Sequence, residues 1–313
     1  MYHRFGDGRY PTTNITLDQF EAHIKELQSG KYTVLPIPEI IRRQQNGEDL
    51  PDRTVGISID DAYTTAHAEA WPRLRDAGIP FTLFVSTGSI DQRQEDIMSW
   101  DNLREMVAAG VTIGAHTVSH LHMPDYSPER LKQEIDTSNK RLIEELGSAP
   151  TIFAYPYGEA SREAISIVQD AGYIAAFGQH SGAFDAKDDR FFLPRFPLNE
   201  KFGDIGRFKT AANALSLFVT DVTPEEMTVS ESSTAPAMGF TLRKQLPRLD
   251  ELSCFLSHEG KAEIMRLGES RFEVRVGTPF PPGRTRLNCT LPGIGEYAGR
   301  WHWFGQQYYL PNN

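Results

Sequence analysis

"SWDNLREMVAAGVTIGAHTVSH", residues 99–120, decides how this chain is to be read. Its first half, 99–110, carries apolar residues at helical spacing, with Ser99 or Asp101 placed to cap the first turn and Gly110 just past the last. A short β-rich run, 111–116, follows and delivers His116, with His120 four residues on. Helix, tight turn, strand and then imidazoles in the next loop describe an α/β unit with polar chemistry at the carboxyl end of its strand. Two histidines four apart can share a metal ion or can be ordinary loop residues, and spacing alone leaves both readings open.

The same alternation runs outward from this stretch over residues 1–221. Strand-like runs occur at 55–59, 80–86, 151–156 and 173–177. Helical runs occur at 66–78, 127–147, where Ser127 caps and Pro128 opens the first turn, and around 160–171. Strands separated by helices at this spacing make βα units and a parallel sheet, with a barrel as its natural closure. Past 221 the text changes. A polar Ser/Thr/Pro stretch, 221–239, leads into "RFEVRVGTPF", "RTRLNCTLP" and "GRWHWFGQQYYLP", which alternate apolar and polar residues between Gly and Pro turns. Residues 222–313 therefore read as a smaller all-β, sandwich-like domain.

Composition narrows the partners. The chain has 313 residues, 39% hydrophobic and 24% charged, with a net charge of −10. An acidic surface argues against nucleic acid or an anionic membrane as the main partner. No apolar stretch approaches the roughly 20 residues of a membrane span. No basic-then-apolar leader is visible, and "MYHRF" reads as the tail of a strand. The two cysteines, Cys254 and Cys289, both fall in strand-like text and are expected to pair, which fits an oxidising compartment.

Parallel βα folds place working groups at the carboxyl ends of their strands. There stand Asp60 and Asp61 after "VGISI", His116 and His120 after "VTIGA", Tyr157 and Gly158 after "TIFAYP", Arg195 after "FFLP", and His3 after "MY". Asp61 can be a helix cap. With the two histidines it can instead complete a one-carboxylate, two-imidazole site that leaves positions open for water and substrate, as catalytic zinc requires.

"SIDDAY", "HTVSH" and "YPYG", in that order and each after a strand, resemble the first three motifs of the polysaccharide deacetylase family, carbohydrate esterase family 4. The resemblance covers residues 1 to about 220. It implies a distorted (β/α)7 barrel, a divalent metal, Zn²⁺ above all, on Asp61, His116 and His120, and Asp60 as general base. It further implies an oxyanion contact from the Tyr157 N–H and an N-acetylated glycan as substrate, handled outside the cell or in the periplasm. Two departures stand out. The third motif holds Ala154 where the family has an arginine, and Arg195 is the replacement expected from another strand. No Leu-x-His acid motif occurs around 200–222, and His3, protonated beside the carboxylates, is expected in its place. That rearrangement resembles bacterial poly-N-acetylglucosamine deacetylases.

The remaining features are secondary. His180 is a candidate for substrate contact, His122 for loop support and His67 for an ordinary helical position. Trp301, Trp303, Phe304, Tyr308 and Tyr309 read as core, with a sugar-stacking platform as the rival. The partner of the C-terminal domain is not legible. The competing readings are a silent glycan-binding protein on a deacetylase fold and an amidohydrolase of a small cyclic amide.

Overall fold

The computed structural model describes residues 1–311. Two short parallel pairs come first in the chain, β1 (Arg4–Phe5) with β2 (Asn14–Ile15) and β3 (Thr33–Val34) with β4 (Thr54–Val55). The main sheet of the first domain is parallel and runs in simple order: β5 (Ser58–Asp60), β6 (Thr82–Val85), β7 (Thr112–Ala115), β8 (Ile152–Ala154) and β9 (Ala175–Phe177). Around it lie α1 (Leu17–Leu27), α2 (Ile37–Gln45), α3 (Trp71–Asp76), α4 (Thr87–Asp91), α5 (Trp100–Ala108), α6 (Pro128–Leu146), α7 (Arg162–Asp170) and α8 (Ile205–Ala212). The strands are buried on both faces, as parallel strands covered by helices must be.

Local chemistry sets the helix ends. Ser99 accepts from the Asn102 N–H while the Asn102 side chain returns to Ser99, a reciprocal cap that makes Ser99, not Asp101, the start of α5. Ser127 caps α6 with Pro128 at its first position. Gly110 sits at φ 90° beyond α5, where a side chain would be strained.

Five strands form ladders. Single parallel bridges add Tyr2 beside Ile59 at one end and Leu193 beside Phe177 at the other. The Leu198 N–H then reaches the Met1 carbonyl at 3.0 Å, drawing the two edges together. The sheet is thus a half-barrel with two one-residue outer staves, rather than seven complete βα units.

The C-terminal region is one eight-stranded sheet. Its members are β10 (Leu215–Ser216), β11 (Val219–Thr223), β12 (Met238–Leu242), β13 (Ser253–Leu256), β14 (Gly260–Leu267), β15 (Arg271–Arg275), β16 (Gly283–Pro292) and β17 (Trp301–Leu310). They are ordered β10-β17-β16-β13-β14-β15-β12-β11. It is continuous because β14 pairs with β13 through its first residues, to Ala262, and with β15 from Glu263 onward. The sheet curls so far that Phe240 of β12 meets Phe304 of β17 with ring centroids 5.4 Å apart. Two layers of this one sheet therefore face each other across a shared core. Cys254 and Cys289 sit directly opposite on β13 and β16 and are disulfide-bonded. The sheet recruits β10 and β11, so its pairing begins slightly before residue 221.

Candidate active site

The site lies at the carboxyl ends of β5, β7 and β8. The β5 strand hydrogen-bonds to Tyr2 on one side, Asp60 N–H to Tyr2 O at 2.9 Å, and the chain then turns sharply. Asp61 and Ala62 adopt φ of 74° and 54°, so consecutive carboxylates leave the strand in different directions. Asp61 is no helix cap: the following helical segment, Ala66–Ala70, starts at Thr65 without a side-chain cap.

Asp61 Oδ1 lies 3.4 Å from His116 Nε2 and 3.2 Å from His120 Nε2, and the three ligand atoms all fall within 4.8 Å of one another. Donors sharing one tetrahedral zinc at bonds of about 2.0–2.1 Å stand roughly 3.3 Å apart. The His116 Nδ1 lies 2.7 Å from the Ala154 carbonyl. A carbonyl only accepts, so Nδ1 carries the proton and Nε2 turns its lone pair toward Asp61. Asp61 Oδ1 and His116 Nε2 are both buried and without a hydrogen-bond partner. Two such acceptors aimed at one point fit a cation between them. The ligand set thus suits a divalent ion.

Asp60 is fully buried and faces the other way. Arg195 grips it with both arms of its guanidinium, Nη1 to Oδ1 at 2.7 Å and Nη2 to Oδ2 at 2.9 Å. Arg195 Nε in turn donates to the Gly178 carbonyl at 2.9 Å. Burial alone would raise the Asp60 pKa, but Arg195, aided by His3 and His116, outweighs it and holds the carboxyl below its usual range. His3 Nε2 stands 4.0 Å from Asp60 Oδ2. Here an expectation is corrected: burial pulls the His3 pKa below its ordinary value, outweighing the upward pull of Asp61 and Asp60.

Tyr157, at φ 58°, packs its ring edge-on to His120 with centroids 4.4 Å apart and flat on His122 at 4.1 Å. His122 also binds Glu159 at 2.6 Å, so it does support the loop. His67 pairs with Glu105 on the helical surface. His180 is corrected: it is 1% exposed and packs on Phe192, and burial drives its pKa to about 3. It serves the site through its backbone, where its carbonyl accepts from the Arg195 N–H at 2.8 Å.

One residue escaped the sequence reading. Glu134 of α6 is 2% exposed and accepts from the Val118 and Ser119 N–H groups at 2.9 Å each. It thereby ties down the turn between His116 and His120, where Thr117 and His120 have positive φ. Its spacing to Arg130 looks like a solvent-facing i, i+4 pair, which concealed it. Above the site opens a cavity of about 950 Å³, bordered by His3, Asp61, His120 and Tyr157 and, opposite, by the C-terminal sheet.

Comparisons with known proteins agree with this geometry. Residues 47–176 match the family model for polysaccharide deacetylases. The poly-β-1,6-N-acetyl-D-glucosamine N-deacetylase of Staphylococcus aureus is 25% identical over 199 residues, 60% of this chain and 68% of that protein. YxkH of Bacillus subtilis is 26% identical over 195 residues, 62% of this chain and 68% of that protein. The fold of the deacetylase PplD of Streptococcus pyogenes, solved in complex with acetate, superposes with a TM-score of 0.63 at 20% identity, covering 68% of this chain and 96% of that one. IcaB of Ammonifex degensii gives 0.60 at 23%, covering 68% and 94%. About a third of this chain therefore has no counterpart in either structure. Residues 47–176 thus form a polysaccharide deacetylase domain.

Proposed function

We propose that the protein is a metal-dependent N-deacetylase of a polysaccharide containing N-acetylglucosamine, releasing acetate and leaving a glucosamine unit. The observation that carries this reading is the pair of buried, unpartnered acceptors on Asp61 and His116, converging with His120 beside an arginine-clamped Asp60. A divalent ion on Asp61, His116 and His120, with zinc the best match to one carboxylate and two imidazoles, would polarise the acetyl carbonyl and make water acidic enough to attack near neutral pH.

The chain's own groups do the rest. Asp60, kept ionised and oriented by Arg195, takes the proton of the attacking water. The Tyr157 N–H donates to the oxygen on which negative charge develops, an effect of about 10²–10³ in rate for such donors. An amine leaves poorly unless protonated. His3 Nε2 stands 4.0 Å from Asp60 Oδ2, a span that one water bridges, and carries the proton that Asp60 has taken to the leaving nitrogen. Among the described residues no helix is long and apolar enough to cross a membrane. The disulfide supports an extracellular or periplasmic setting.

The test is metal analysis of the purified protein together with acetate release from β-1,4- and β-1,6-linked N-acetylglucosamine oligomers. One divalent ion per chain and metal-dependent acetate release are expected. No acetate at any metal loading would leave a glycan-binding protein on this fold.

A further inference from the structure

The cavity over the metal ligands has a second wall, which the deacetylase chemistry leaves unused. Strand β16 alternates strictly. Thr285, Leu287 and Cys289 are buried on one face, while Arg284, Arg286 and Asn288 take the other and line the cavity. From β17, Trp303 joins the same wall and donates its indole N–H to Asn288 at 3.0 Å. The wall is fastened to the reaction centre. Gln307 Nε2 and Arg284 Nη1 donate to the Tyr157 carbonyl at 3.0 and 3.4 Å. Gly305 permits the close fit, since a Cβ there would stand 1.9 Å from the Ser181 carbonyl oxygen.

The charge on this wall is not balanced. Glu159 lies 3.6 Å from Arg284 and is already bonded to His122. Arg286 gives its Nε to the neutral Gln307 at 3.0 Å. Arg207, on the same cavity, lies over Trp303 and Phe196 at 4.9 and 5.3 Å. Among the described residues no carboxylate stands within ion-pair distance of Arg286 or Arg207. These are also the two arginines whose basicity burial weakens, Arg286 to about 10. Partly desolvated guanidinium groups without an acid are unfavourable, and their fork matches a planar oxyanion. A neutral N-acetylglucosamine chain offers no such group.

Resting on the deacetylase reading, we infer that this wall is an anion subsite. The substrate is a glycan bearing carboxylate or phosphate groups near its acetamides, with the oxyanion held by Arg284 and Arg286 and a sugar ring set against Trp303. The C-terminal sheet thus selects the polymer while the half-barrel performs the hydrolysis.

Calorimetric binding to the full chain tests this without requiring turnover. Three probes of equal length are used: neutral N-acetylglucosamine oligomers, oligomers alternating N-acetylglucosamine with glucuronic acid, and 6-phosphorylated N-acetylglucosamine oligomers. At least one anionic probe should bind about tenfold tighter than the neutral one, and the better of the two identifies the oxyanion. Arg286→Gln should bring the anionic probe to within about twofold of the neutral one, and Arg286→Lys should retain part of the preference. Should Arg286→Gln misfold, the more exposed Arg284→Gln makes the same comparison. Equal binding of all three probes, or equal weakening of all three by the substitution, overturns the subsite. Anion preference without acetate release from any probe overturns the deacetylase reading and leaves the subsite standing.

Discussion

The half-barrel and the C-terminal sheet handle their backbones in opposite ways. Around Asp61, His116 and His120 the chain is bent out of regular structure: Asp61, Ala62, Thr117, His120 and Tyr157 all have positive φ. Each such residue costs about 1–3 kcal/mol and persists only where its surroundings hold it. Those surroundings are visible in Arg195, Glu134, the Ala154 carbonyl and Gln307. In the C-terminal sheet β16 and β17 keep ten consecutive pairs in register, from Gly283 with Leu310 to Pro292 with Trp301, and the disulfide staples β16 to β13. Strain brings side chains from separate strands to one point. Regular alternation does something simpler: it gives the sheet one face for its own core and one for the cavity.

If the half-barrel carries the chemistry, Asp60→Asn should keep the metal and lower kcat by about 10²–10⁴, the usual weight of a general base. Metal content and acetate kinetics on the same preparation check it, and loss of metal instead would mean that the roles of Asp60 and Asp61 are exchanged. Next in size is Arg195→Met. It strands a fully buried carboxylate and should cost about 3–5 kcal/mol in urea unfolding, along with most activity. An unchanged midpoint would show that the clamp contributes nothing to the fold.

The sheet should respond differently. Replacing Cys254 and Cys289 together by Ser should lower stability by about 3 kcal/mol through the loop that the bond closes. Hydrogen exchange should place the loss in β13–β16, with metal affinity unchanged; weaker metal binding would mean that the two regions are more tightly coupled than their contacts indicate. A smaller effect is expected at Glu134→Gln, which loosens the turn between the two histidines. Metal affinity should fall about tenfold with the fold intact, as for other groups that orient ligands.

Acid should separate the regions most gently. His23 and His180 are both 1% exposed, and burial lowers their pKa to about 4 and about 3. The unfolded chain binds more protons than the native one below about pH 6.5. Their contribution is therefore complete above pH 6.5 and is lost as pH falls toward 4 and then 3, at about 1.4 kcal/mol per unit for each histidine. His180→Gln should flatten the pH dependence of the urea midpoint between pH 6.5 and 4, and a profile identical to the parent's would remove His180 from this account.

Much of this was legible beforehand. The 3.6-residue and two-residue periods of the text separated a βα region from an all-β one, and caps such as Ser99 and Ser127 marked helix starts. Strand-end positions named Asp61, His116 and His120 before any distance was known, because a parallel sheet delivers its strand ends to one side. The cysteine pair was expected from two thiols in neighbouring strand-like text. What escaped was whatever depends on burial. Glu134 carries no motif and shows its role only through its burial and its bonds to the Val118 and Ser119 N–H groups. His180 was a candidate for substrate contact and is core. His3 was expected protonated, and desolvation outweighs the carboxylates.

Order along the chain, and with it the kind of each element, was thus set by periodicity and turn chemistry, which are local and can be read residue by residue. Arg195 was a candidate in the text, but tertiary structure alone decided that it grips both oxygens of Asp60, 135 positions away, with its Nε held by the Gly178 carbonyl. Tertiary structure alone decided that one curled sheet replaces a sandwich, and that an arginine-bearing face closes over Asp61 and His120. Those outcomes depend on packing and on the removal of water from specific groups, and both are properties of residues distant in sequence and adjacent in space.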